Sequence, residues 1–164
     1  MTDDTASPQD IARGLIDRVG KASLATLHPQ KCRPYTSLVL IAPDDDGSPV
    51  MMLSDLADHA KNLAAEGASS LLLDGTSATE SLSGPRVSME GDVVLITDEA
   101  EITRLKAVFI ARHDEARIYA QFSDFRIYKM QVNRLHLIAG FGQIHWLEAD
   151  EVLGVKGGEG RPQD

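Results

Sequence analysis

Residues 33–63 read RPYTSLVLIAPDDDGSPVMMLSDLADHAKNL. The apolar run at 35–42 has the length and β-branched content of a strand, and PDDDGSP after it is a strong turn signal. A second apolar run follows at 50–54. Two strands joined by so short a polar link are expected to lie side by side and antiparallel. The segment at 58–67 then predicts a short helix, with Asp58 as its cap and Gly67 at its close. Strand, turn, strand and short helix is not the start of a βαβ unit, and this points to a mainly antiparallel domain.

The flanking sequence extends the pattern. Short strands are predicted at 22–27 and 68–75, and a long one at 85–96 that holds Gly91 in its middle, where a bulge or sharp bend is expected. Residues 125–147 are again strand-like. Within them LHLIAGFGQIHWL (135–147) carries two glycines and the only tryptophan. This stretch reads either as a bent core strand or as backbone that something approaches closely. Helices are predicted over 7–20, with Ser7 as N-cap and Pro8 in the first turn, and over 98–113, with acids early and bases late. Residues 1–6 are expected to be disordered, 7–150 to form one domain, and 151–164 to be a polar tail. The expected fold is mainly β (α+β): an antiparallel barrel with peripheral helices, closed to remove sheet edges.

At 164 residues, with 43% hydrophobic and 25% charged residues, the chain can bury a core of its own. A net charge of −9 argues against nucleic-acid or anionic-membrane partners, which need a basic face. No apolar run has the length of a membrane helix, and the acidic start MTDDTASPQD is unlike a secretory signal, so a cytoplasmic protein is expected. Cys32 is the single cysteine, which excludes an internal disulfide.

Chemistry is concentrated in few places. Ser54 ends a strand, and His59, Lys61 and Asn62 fall in the first turn of the helix after it. A helix start with a lysine and hydrogen-bonding side chains suits an anion, and a solvated, capped helix fits equally well. Arg86 opens the long strand with the side chain best shaped for a phosphate. Tyr35 and Ser37 share one face of their strand, and Thr36 and Leu38 the other. Trp146 offers a stacking surface. Of five histidines, His136 and His145 are the candidate metal ligands, but no carboxylate or thiol at matching spacing joins them, and no metal is assigned.

The order ASLATL, RPYTSLVLIAPDDDGSPVMMLSDLADHAKNL, SLLLDG, PRVSMEGDVVLI resembles the FMN-binding split barrels of the pyridoxamine 5′-phosphate oxidase-like group. SDLADHAKNL with GFGQIHW resembles the haem-utilisation branch of HugZ type. The resemblance implies a six-stranded antiparallel split β-barrel with peripheral helices, paired as a homodimer with FMN in a groove between subunits. It implies Thr36, Ser37 and Leu38 along the flavin ring, and Ser54, His59, Lys61, Asn62 and Arg86 at the phosphate. Gln143 and Trp146 would come from the second subunit. It implies a flavin-dependent oxidoreductase of unknown substrate, with FAD and F420 not separated from FMN. Two alternatives stand beside it. One is a haem-binding or haem-degrading protein with His136 or His145 as axial ligand. The other is a cofactor-free dimer acting as a binding module.

Overall fold

A computed structural model of the chain describes residues 6–77, 79 and 82–154. The expectations for residues 1–5 and for most of the C-terminal tail lie outside the described residues. Helix α1 (Pro8–Arg18) is followed by strands β1 (Lys21–His28), β2 (Arg33–Leu40), β3 (Ala42–Pro43) and β4 (Pro49–Ser54). Helix α2 (Asp58–Ala65), β5 (Ala68–Asp74), β6 (Arg86–Leu95) and helix α3 (Glu99–Arg112) come next. A 3-10 turn (Asp114–Ile118), the long β7 (Phe125–Gly140), β8 (Gln143–Glu148) and a short α4 (Ala149–Val152) complete the fold.

All strand pairs are antiparallel, in the order β2-β1-β5-β6-β7-β4-β3, with β8 on β7. This is the split-barrel architecture. The two-residue β3 and the hairpin strand β8 add to the six strands expected. One expectation is corrected: β2 and β4, close in sequence, are not hydrogen-bonded neighbours. The chain leaves β2 at Ile41, and the two strands stand near the two ends of the sheet path. The short ladder between them pairs Pro43 with Pro49, and neither proline has an N–H to extend it. The resulting seam between β2 and β4 is the split in the barrel.

The apolar pattern explains the layers. In β4 alternate side chains face two cores. Met51 and Leu53 join Leu24, Leu71, Met89 and Leu135 inside the barrel, while Val50 and Met52 pack with Leu105 and Phe109 of α3. A strand covered on both faces is apolar throughout. Ala12, Leu15 and Ile16 of α1 complete the barrel core. That helix starts with a capping box in which Ser7 accepts from the Asp10 N–H and Asp10 accepts from the Ser7 N–H.

Gly91 lies at a register shift between β6 and β7. A Cβ there would collide with the Gln131 carbonyl oxygen, so only glycine admits the bend. The GFG stretch is neither a bent core strand nor a ligand wall within its own subunit. Gly140 pairs with Gln143, so Phe141 and Gly142 form a two-residue hairpin turn. Gly142 takes φ +74°, and Phe141 is 102% exposed at the tip.

Asp44 in the PDDDGSP turn ties three elements together. Its carboxylate accepts from Arg104 of α3 at 2.7 and 2.8 Å and from Lys129 of β7 at 2.6 Å. The Arg104 guanidinium holds the Asp44 carboxyl well below the usual carboxylate range, against the opposing effect of burial.

Candidate functional site

The seam between β2 and β4 opens into a cavity of about 210 Å³. Its walls are mostly apolar: Leu38, Leu40 and Met52, with Tyr119 and Phe125. Ser54 and His59 are the polar residues at its edge. The rim is apolar as well. Leu38 is 72% exposed, and Leu56 and Phe122 are also exposed. Leu56 is next in sequence to the lining residue Ala57, and Phe122 packs on Phe125 with ring centroids 6.4 Å apart. Exposed leucine and phenylalanine gathered round a cavity mark a binding surface.

The fold brings His59 to this cavity at the start of α2. His59 Nδ1 lies 3.0 Å from Ser37 Oγ on β2. Burial lowers the proton affinity of the His59 imidazole, and the neighbouring Asp58 opposes this. Its Nε2 has no hydrogen-bond partner among the described residues. The face assignment of β2 holds: Ser37 is opposite buried Leu24, and Leu38 opposite Ser23 on the outer face.

The other site residues are placed as follows. Thr36 is exposed on the outer face of β2, opposite Ala25. Ser54 Oγ donates to Asp124 at 2.6 Å, and buried Asn62 donates from Nδ2 to Thr26 Oγ1 at 3.0 Å. Lys61 lies 3.6 Å from Asp58 and borders a separate cavity with His28 and Tyr35. The N-cap of α2 is Ala57, with no side-chain cap, and Asp58 is the first helical residue. Arg86 Nη1 donates to the Leu82 and Gly84 carbonyls.

The structure does not bring Arg86 to the helix-start residues of the expected phosphate site. The Ser54 hydroxyl and the Asn62 amide each donate inside the chain, while Lys61 is largely exposed beside Asp58. Arg86 is remote for a reason of register. Ala68, just after α2, pairs with Asp92, six residues along β6 from Arg86. At 3.3 Å per residue that is roughly 20 Å.

Gln143 and Trp146 lie on the β7–β8 hairpin, and His136 and His145 are on opposite faces of it. His136 is opposite Trp146, while His145 is opposite the buried Leu137. The two histidines therefore cannot bind one metal together. His136 stacks on Trp146 with centroids 4.4 Å apart, and Arg134 lies 4.4 Å over the same indole. One cross-strand row on the outer face runs Leu38, Ser23, Leu72, Ser88, His136, Trp146. Leu38 and Trp146 stand five strand steps apart along this row of the curled sheet.

Sequence reasoning missed the aromatic wall. Tyr119, Phe122 and Phe125 recur every three residues in YAQFSDF, and Tyr119 and Phe125 pack at 4.7 Å. That spacing was the available signal. Among the described residues no cluster of three or more His, Cys, Asp or Glu is arranged to hold a metal, and no helix is long and apolar enough to cross a membrane.

Comparison with known proteins places this geometry. The chain is 31% identical over 107 residues to the chloroplastic heme oxygenase HOZ of Arabidopsis thaliana, a match spanning 65% of this chain and 32% of that protein. The chain thus aligns with about a third of the length of that relative. A heme-binding protein from Mycobacterium smegmatis superposes with a TM-score of 0.83 at 26% identity, covering 90% of this chain and 60% of that one. The fold is also shared by ChuZ of Campylobacter jejuni, with a TM-score of 0.75 at 14% identity, covering 93% of this chain and 63% of that one. The model of the CREG β-barrel family matches residues 4–153, and the chain belongs to that family.

Proposed function

We propose that this protein binds haem at the β2–β4 seam. The observation that carries this reading is the apolar, aromatic-walled cavity lined by the exposed Leu38 and with a histidine at its edge. Two relatives above 25% identity that are named for haem support it. This reverses the order of the sequence expectation: the haem alternative leads, and the FMN oxidoreductase gives way because these relatives are named for haem. A cavity of 210 Å³ is below the usual size for a whole cofactor. It fits one edge of a flat macrocycle, with the remainder lying over the exposed rim. Haem, when bound, supplies the iron and its redox chemistry. The chain supplies the apolar wall, a ligating side chain and exclusion of water from one face.

Leu38→Asp tests the wall directly. The side chain is exposed, so the fold is unaffected, but a charge replaces an apolar contact of roughly 1.5 kcal/mol. Haemin titration followed in the Soret region is expected to show affinity reduced by about tenfold. Equal affinity in the variant would place haem elsewhere.

The cover for the exposed part of the ring is a second copy of the chain. Phe141, Ile144 and Trp146 are exposed on the hairpin, and none of them lines the seam cavity in its own subunit. A homodimer that lays this hairpin against the partner's seam would bury both apolar surfaces. Ile144→Asp is expected to convert a dimer to a monomer in light scattering after size exclusion, whereas a wild-type monomer would remove this part of the reading.

A further inference from the structure

We infer that His59 is the axial ligand of the haem iron, held in its ligating orientation by Ser37. The inference rests on the proposed haem site and names the residue that the site would use.

The five histidines differ in what surrounds them. His113 is buried, with Nε2 2.8 Å from the Ile41 carbonyl, and is committed to the fold. His28 borders the separate cavity among Gln30, Asp58 and Lys61, a polar setting unsuited to a macrocycle. His145 is on the barrel side of the hairpin, opposite Leu137. His136 is stacked on the Trp146 ring and does not line the seam cavity. His59 alone lines the aromatic-walled cavity.

The Ser37 contact gives His59 the second feature of a ligating imidazole. Iron takes a nitrogen lone pair, and the hydrogen bond made by the other ring nitrogen fixes which nitrogen carries it. When Nδ1–H donates to Ser37 Oγ at 3.0 Å, Nε2 is left as the lone-pair nitrogen. The contact joins β2 to the start of α2 across the seam, so ring orientation is set by the fold. The same pair could be read as a serine nucleophile and its base. Catalysis of that kind needs a third group to orient the base, and no carboxylate bonds the His59 ring among the described residues.

The test uses the full chain reconstituted with haemin, comparing wild type with His59→Gly, His59→Gln and Ser37→Ala by absorption and electron paramagnetic resonance. His59→Gly is expected to change the Soret position and the ferric spin state, and added imidazole to restore the wild-type spectrum. His59→Gln keeps a hydrogen-bonding side chain beside Ser37 and serves if the glycine variant does not fold; it is expected to show the same spectral change. Ser37→Ala is expected to keep the coordination but bind about 10–100-fold more weakly, as loss of a supporting partner does. Wild-type spectra in both His59 variants, with haem still bound, would overturn this assignment and leave the haem site standing. A wild-type chain that binds no haem would overturn both.

Discussion

Replacing Asp44 by alanine is expected to cost about 2–4 kcal/mol of stability at neutral pH. The carboxylate is 4% exposed and receives three charge-assisted hydrogen bonds from Arg104 and Lys129. Removing it leaves two cations facing each other with reduced compensation. The cost is below that of a fully buried pair for two reasons. Arg104 is partly exposed and keeps Glu101 at 2.7 Å, and Lys129 keeps Asp46 at 3.2 Å. The melting temperature is expected to fall by roughly 5–12 °C for a domain of this size. The pH dependence has a definite sign. Asp44 has a folded pKa below its unfolded value of about 4, so its contribution is complete above that value and fades as pH falls below it. Lys129 moves the opposite way: burial would lower its pKa, but the hydrogen bonds to Asp44 and Asp46 raise it, so its contribution is present at neutral pH and lost only in strong alkali. The gap between wild type and Asp44→Ala should therefore narrow in acid. A gap that widens below pH 4, or no change in melting temperature, would contradict the role given to this turn.

Gly91→Ala is expected to destabilise the barrel by about 2–4 kcal/mol, at or beyond the upper end of the usual overpacking cost. The obstacle is the backbone of β7, because the new methyl meets the Gln131 carbonyl, with the Val132 Cα close by. A flexible side chain could turn away, but this backbone is held in the β6 ladder and flanked on its other edge by the β4 and β8 ladders. Relief requires straightening the bulge, which shifts the register of one half of β6 against β7. Chemical denaturation checks the loss, and an unchanged midpoint would mean that the bend is softer than its contacts indicate.

Features written in local chemistry were legible in the sequence. Ser7 and Pro8 marked the start of α1, Gly91 marked the bulge, and the alternation in 35–38 gave the two faces of β2. Features set by topology were not. Ser37 and His59 are 22 residues apart and meet only because α2 folds back across the seam. The pairing of β2 with β4 looked natural from their short link, yet the link uses its prolines to open the barrel. The partners of the expected anion residues were likewise out of reach. The register of β5 against β6 carries Arg86 away from α2, and Asp124 and Thr26, invisible from local spacing, accept from Ser54 and Asn62. Trp146, read as a stacking surface, is 54% exposed beside His136.

Haem, not flavin, is the proposed ligand of the seam. Titration of the purified wild-type chain with haemin and, separately, with FMN tests this most directly. Absorption and the fluorescence of Trp146, the only tryptophan, would be followed together. A Soret band that saturates at a fixed ratio of haem to protein is expected, with no saturable response to FMN. Tight, stoichiometric FMN binding with only non-saturating uptake of haemin would contradict it.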